Sequence, residues 1–195
     1  MRYDENKETV LQLLPTDDAI LQLAEECVEL SKELLIFNNT EYGMPTRVMP
    51  TGAMEEAADV ELVAEVLLDK IYVTYDKRIL HSMVGSILIV VKGLGRIHIK
   101  ESLHEVCHNL AKAALKLRRA RSGDNPTLIT EEEAREMLLC HISMIMALDT
   151  ILFNGEAREQ MEKIKEQKME RWAKRLKGET ADGEREGVLL DKGAN

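Results

Sequence analysis

Glu26 and Glu29 stand three residues apart in "EECVE" (25–29), and Glu56 and Asp59 repeat that interval in "EAAD" (56–59). On a helix, residues three and four apart are neighbours. Like charges placed there destabilise by roughly 0.2–0.5 kcal/mol per pair. Glu25 and Glu33 lengthen the first acidic stripe, and Lys32 is the only base among them. Two antiparallel helices joined by a loop pack face to face, so the two pairs can converge. Four converging carboxylates without a cation repel one another and take raised pKa values. An all-oxygen ligand set suits Mg²⁺ or Mn²⁺, with waters retained for substrate phosphates to replace. The chemistry implied is attack by metal-activated water on a polyphosphate. The competing reading is a solvated acidic face, where such residues usually lie.

These acids need helices to hold them. After a polar arm (1–15), Pro15-Thr16-Asp17-Asp18 marks a helix start, and Ile20, Leu23, Cys27, Leu30 and Leu34 follow at helical spacing. This helix should end near Phe37, where "NNTEYGMPTRVMPTG" reads as loop. A second helix runs from about Ala53 to about Tyr72, burying Ala57, Val60, Val63, Ala64 and Leu67. A third covers roughly 77–92 and stops at Gly93, although its "ILIVV" run would also suit a strand. A fourth spans about 101–121. Thr130 and Glu133 then form a capping box for a fifth, ending near Phe153. A charged helix with Trp172 covers 156–177, and the tail 178–195 has a disordered composition. The expectation is an all-α domain over 16–177.

The chain also repeats itself. "EECVELSKELL" (25–35) set above "EVCHNLAKAAL" (105–115) gives identity at Glu25/Glu105, Cys27/Cys107, Leu30/Leu110, Lys32/Lys112 and Leu35/Leu115. The next helices align loosely, "EEAADVELVAEVL" from Glu55 with "LCHISMIMALDTI" from Leu139. Two tandem helical hairpins are expected, the first over about 17–92 and the second over about 100–177. Glu26, Glu29, Glu56 and Asp59 face Val106, Asn109, Cys140 and Ser143 in this alignment. Selective loss of all four acids from the second copy suggests that they do one job together.

At this point the residues resemble a family. "EECVE" and "EAAD" fit the pattern E-E-x-x-E then E-x-x-D of the MazG-like all-α nucleoside triphosphate pyrophosphohydrolases, relatives of the dimeric dUTPases and dCTP pyrophosphatases. "EEAADVEL" (55–62) and "NPTLITEEEA" (125–134) resemble neighbouring stretches in that family, and the resemblance covers roughly residues 17–175. It implies a MazG-like helical bundle that splits nucleoside triphosphates into monophosphate and pyrophosphate. It also implies Mg²⁺ (Mn²⁺ as substitute) held by Glu26, Glu29, Glu56 and Asp59, with Glu25 as an auxiliary catalytic acid. The second half departs from the family by lacking the acids, and would serve as a pseudo-dimer partner. Phosphate contacts could come from Lys32, Lys112, Arg118, Arg119, Lys168 or Arg171. For each of these the alternative is an ordinary solvated base.

Other signals compete. "HEVCH" (104–108) matches the H-E-x-x-H of zinc metalloproteases, with His104 and His108 as ligands and Glu105 as base, but nothing supplies an evident third ligand. A di-iron bundle wants Glu-x-x-His on two helices, whereas Glu101/His104 and Glu105/His108 share one. A non-catalytic helical interaction module is the remaining alternative. Met83, Met137, Met144 and Met146 read as core filler. Trp172 and Tyr42 could stack on a base but read more simply as packing and loop residues. "GLG" (93–95) lacks a further glycine and a preceding strand.

Composition sets the outer limits. The 195 residues, 45% hydrophobic and 31% charged with only 4% aromatic, suit one helical domain. A formal charge of −9 argues against nucleic acid or an anionic membrane as partner, while metal ions could still bridge it to an anionic substrate. Three cysteines, Cys27, Cys107 and Cys140, have no disulfide-framework spacing and read as reduced thiols. "MRYDENKETV" is charged where a signal peptide would be apolar, and "MVGSILIVV" (83–91) is about half a membrane span. The expectation is a soluble cytoplasmic enzyme, working as a homodimer or as a pseudo-dimeric monomer.

Overall fold

The computed structural model describes residues 2–40, 51–72, 77–94, 96–124, 126 and 128–178. Among them the chain is all helix, with no strand: α1 (Arg2–Leu13), α2 (Thr16–Thr40), α3 (Thr51–Ile71), α4 (Lys77–Val91), α5 (Arg96–Ser122), α6 (Glu131–Leu152) and α7 (Glu156–Leu176). The expected apolar stripes are buried: Ile20, Leu23, Cys27, Leu30 and Leu34 on α2, and Ala57, Val60, Val63, Ala64 and Leu67 on α3. Thr130 and Glu133 close a reciprocal capping box on α6, as their spacing predicts.

α2 packs against α3 on one side and α5 on the other, α5 packs against α6, and α6 touches α3 more lightly. These four helices enclose the core. α5 runs antiparallel to α2, with Arg121 bound to Asp17 at one end and His104 to Ser31 towards the other. The outer helices cross over: α4 follows α3 but lies on α6, and α7 follows α6 but lies on α3 and α1.

Three local expectations change. The polar arm is a helix: Val10 and Leu14 are buried, and α1 packs on α7 and α3. Its polar majority hides a short apolar stripe that only a docking surface makes useful. α5 begins at Arg96 rather than near 101, with Ile99 and Leu103 already in the core, and α2 continues to Thr40. The "ILIVV" run, by contrast, is helical as expected rather than a strand, and Ile89 and Val90 stay 80% and 78% exposed. A helix satisfies its own backbone donors, whereas a strand here would need a neighbour that the described residues do not contain. No helix among the described residues is long and apolar enough to cross a membrane. Tyr42 and the tail from 179 lie outside the described residues.

Candidate metal centre

α2 and α3 bring the two acidic pairs together because both carry the pairs on the flank of their buried stripes. Glu26, Glu29 and Glu56 each offer a carboxylate oxygen, and these oxygens lie within 4.8 Å of one another. Glu26 and Glu56 are half-buried, whereas Glu29 is exposed. Asp59, one turn beyond Glu56, stands against the same cluster and raises the pKa of both Glu26 and Glu56 by its charge.

The electrostatics are those of an uncompensated site. Burial, the Asp59 charge and then Glu29 and Glu56 push Glu26 up to about 7, against one weakening hydrogen bond from Gln22 Nε2 at 3.5 Å. Glu56 is raised by burial, by Asp59 and by Glu29, with Lys168 opposing. Its Oε2 atom is buried and has no hydrogen-bond partner. A buried carboxylate oxygen left in that state costs about 1–3 kcal/mol unless something else satisfies it. Asp59 is also raised, chiefly by burial, although Lys168 and Arg171 pull the other way. An all-oxygen donor set with an orphaned oxygen fits a hard divalent cation such as Mg²⁺.

α7 supplies the only described cation bound directly to these four acids. Lys168 Nζ donates to Asp59 Oδ2 and, at 3.1 Å, to the backbone carbonyl of Glu55. Lys168, Arg171 and Lys174 line an open cleft of about 580 Å³ with Glu55, Ile164, Gln167 and Glu170. A basic cleft opening beside an acidic cluster can receive the oxygens of an anion whose other end meets the acids.

The remaining candidates lie elsewhere. Glu25 is exposed and does not share in the close cluster of Glu26, Glu29 and Glu56. Glu33 turns toward the start of α3, where a Cβ built on Gly52 would come 2.7 Å from its Oε2. There it meets the positive end of the helix dipole and adds its charge to Glu56. Lys32 is exposed, and no described hydrogen bond or ion pair joins it to the acids. Lys112, Arg118 and Arg119 are exposed on α5, which packs against α2 and α6. On α5, His104 and His108 turn their Nδ1 atoms to Ser31 Oγ, and no third His, Cys, Asp or Glu donor converges with them among the described residues.

One charged group escaped the sequence reading. Glu61, 2% exposed, accepts from Arg158 Nη1 at 2.6 Å, Arg158 Nη2 at 2.9 Å and Lys165 Nζ at 3.1 Å. Lys165, 5% exposed, also reaches Glu65 at 2.5 Å, and Asp149 lies fully buried nearby with both carboxylate oxygens unpartnered. The signal was present, since Glu61 falls on the apolar face with Ala57, Ala64 and Leu68. Five residues beyond Glu56, it points about 140° further round α3 by the helical turn. A separate cavity of about 340 Å³ opens on that side, lined among others by Glu61, Leu68, Leu80, Met146 and Arg158. It holds no part of the acid cluster.

Comparison of the chain with protein-family models, with curated proteins and with solved structures gives no match.

Proposed function

We propose that this chain is a Mg²⁺-dependent nucleoside triphosphate pyrophosphohydrolase of the MazG-like kind, releasing monophosphate and pyrophosphate. The observation that carries the reading is the gathering of carboxylate oxygens of Glu26, Glu29 and Glu56 within 4.8 Å of one another, with Glu56 Oε2 buried and unpartnered. Glu26, Glu29, Glu56 and Asp59 would hold the ion. When bound, Mg²⁺ (or Mn²⁺) supplies charge neutralisation and a water made more acidic.

The chain's own residues account for the rest. Lys168 holds Asp59 in place and, from the wall of the basic cleft, bridges it to a phosphate oxygen. Arg171 and Lys174 extend that wall and offset the charge of the departing pyrophosphate. Lys32, Lys112 and Arg118 have no such position. Glu25, exposed at the margin, is an auxiliary acid in this reading.

Single-site use of a duplicated hairpin is part of the proposal. The crossing of α4 onto α6 and of α7 onto α3 supports a tandem repeat whose two halves mimic a dimer. Ser143, aligned with Asp59, donates to the Leu139 carbonyl at 2.8 Å and has Met83 Sδ of α4 at 3.9 Å, while Asp59 meets Lys168 of α7. One half thus keeps an acid and a base where the other has a hydroxyl and a thioether. A cytoplasmic enzyme, working alone as a pseudo-dimer or paired again as a homodimer, follows from the same reading.

The deciding experiment is a screen of canonical and modified nucleoside triphosphates with Mg²⁺ in ¹⁸O-water. Monophosphate and pyrophosphate should form in one step, with label in one product only. Labelled orthophosphate with accumulating diphosphate, or no turnover of any triphosphate, overturns the proposal.

A further inference from the structure

α2 carries a second stripe, which no described helix covers. Leu21, Glu25, Val28, Lys32 and Leu35 follow one another at intervals of four, three, four and three residues, and all five are exposed. Val28, in the middle, is 61% exposed. Intervals that average 3.5 residues hold side chains in one seam, the spacing of a helix that pairs with another helix. The buried stripe of Ile20, Leu23, Cys27, Leu30 and Leu34 faces the core, where α2 packs on α3 and α5, so the exposed seam belongs to a different face.

The seam is self-complementary in one orientation. When a second α2 is laid antiparallel about a two-fold axis at Val28, that residue meets the partner subunit's Val28. Leu21, seven residues before the axis, meets the partner subunit's Leu35, seven residues after it. The same rotation sets Glu25 against the partner subunit's Lys32, three residues before the axis and four after. A parallel pairing would set each of these charges against its own kind, with repulsion at both layers. Within the chain, neither Glu25 nor Lys32 has a hydrogen bond or ion pair among the described residues. Ile89 and Val90 of α4 are exposed as well, but α4 contains no acidic residue, so a second copy of it offers no opposite charge.

We infer that a second copy of this chain docks on the Leu21–Val28–Leu35 face, α2 against α2 in antiparallel register. From Leu21 to Leu35 the seam runs about 21 Å. That is short for a permanent interface, so the dimer is a reversible one. This deepens the homodimer of the proposed function, because the partner subunit's Lys32 comes to rest beside Glu25, one turn from Glu29 at the edge of the acid cluster. Each site thereby gains a base that its own chain does not bring there. Glu26 points about 160° round α2 from Val28 by the helical turn, so the seam does not cover the cluster.

The test uses the full chain and reads association rather than turnover, which keeps its failure distinct from failure of the proposed reaction. Sedimentation equilibrium over a range of concentrations should show a reversible monomer–dimer equilibrium. Val28→Arg should be monomeric with its helical circular dichroism unchanged. Glu25→Lys and Lys32→Glu should each raise the dimer Kd about tenfold or more, since opposed pairs become like-charged. The Glu25→Lys, Lys32→Glu double exchange should restore it. Register is read by adding an oxidant to cysteine variants in a Cys140→Ser background, which removes the exposed thiol. Val28→Cys should form a disulfide-linked dimer, and Leu21→Cys alone should not, because its own copy lies out of reach. A chain that stays monomeric at every concentration overturns the proposal, as does a dimer that Val28→Arg leaves intact. Single reversals that the double exchange fails to rescue, or ready self-linking of Leu21→Cys, overturn the antiparallel register.

Discussion

Lys168 of α7 binds the carboxylate of Asp59 on α3, 109 residues away, and reaches the Glu55 carbonyl with the same ammonium group. Of the four acids proposed to hold a cation, Asp59 is the one that already has a resident positive charge, and its pKa is still raised by burial. Lys168→Met removes that charge from a half-buried cluster. It should lower stability in metal-free buffer by about 1–3 kcal/mol, the usual cost of orphaning such a group. Saturating Mg²⁺ should recover most of the loss, and pyrophosphate release should fall. Paired thermal melts with and without the ion read this out. An equal deficit in both buffers would separate Lys168 from the metal.

Binding of Mg²⁺ to the folded state alone should raise the melting temperature. At an ion concentration 100 times Kd the gain is about 2.7 kcal/mol. The Glu26→Gln, Glu56→Gln double variant should begin more stable in the absence of ions, because it lacks the repulsion, and should then respond little. Equal shifts in wild type and variant would remove the case for a cation at these acids.

The raised pKa of Glu26 gives stability a pH dependence of known sign. Folded Glu26 titrates near 7, against an ordinary value of 4.5. Between those values the folded state binds the proton more tightly than the unfolded state does. The resulting stabilisation is fully present below about 4.5 and is lost as pH rises through about 7. Metal-free Glu26→Gln protein should lose this part of the slope, as denaturant midpoints at pH 5 and pH 8 would show. Mg²⁺ should compete better at the higher pH, where the ligand is ionised.

Glu61 and Asp149 should respond in opposite ways. Glu61→Ala removes the buried partner that Lys165 and Arg158 share, leaving Lys165 with Glu65 and Arg158 with Glu162, and should cost about 1–3 kcal/mol. Burial and the Glu61 charge raise the pKa of Asp149, which favours its protonated form. Its contribution is present below its unfolded pKa, about 3.9, and declines as pH rises above that. Asp149→Asn escapes this decline. The variant should match or exceed wild type at neutral pH, with a margin that widens from acid to neutral. A large loss for Asp149→Asn at pH 7 would mean that the ionised carboxylate has a partner of its own.

Catalysis should depend on one half of the chain. Glu29→Gln and Asp59→Asn should each remove most pyrophosphate release while circular dichroism stays helical. His108→Ala should leave turnover near wild type. A peptidase activity that vanishes in His108→Ala would instead revive the "HEVCH" reading.

Much of this was legible one helix at a time. The intervals Glu26/Glu29 and Glu56/Asp59 put each acidic pair on one face, and the neighbouring apolar stripes oriented those faces toward a shared boundary. The Thr130/Glu133 box was likewise visible, because capping bonds join residues three positions apart. α1 was not legible: its stripe of Val10 and Leu14 is too short to stand out among charges, and it gains meaning only against α7 and α3.

The basic residues mark the line between sequence and tertiary structure. Lys32, one turn from Glu29, looked the better placed, and Lys112, Arg118, Lys168 and Arg171 looked alike, since the range of a helical turn says nothing of what a distant helix brings. Packing chose among them. α7 crosses back over α3 and delivers Lys168 to Asp59 and Arg171 to the adjoining cleft, while α5 turns Lys112 and Arg118 to solvent. The same crossing gives Glu61 its cations and leaves Glu56 with an unsatisfied oxygen. Local spacing determined which acids share a face. Which charges meet them was decided by burial of apolar stripes far apart in the chain, because that burial alone sets how the helices dock.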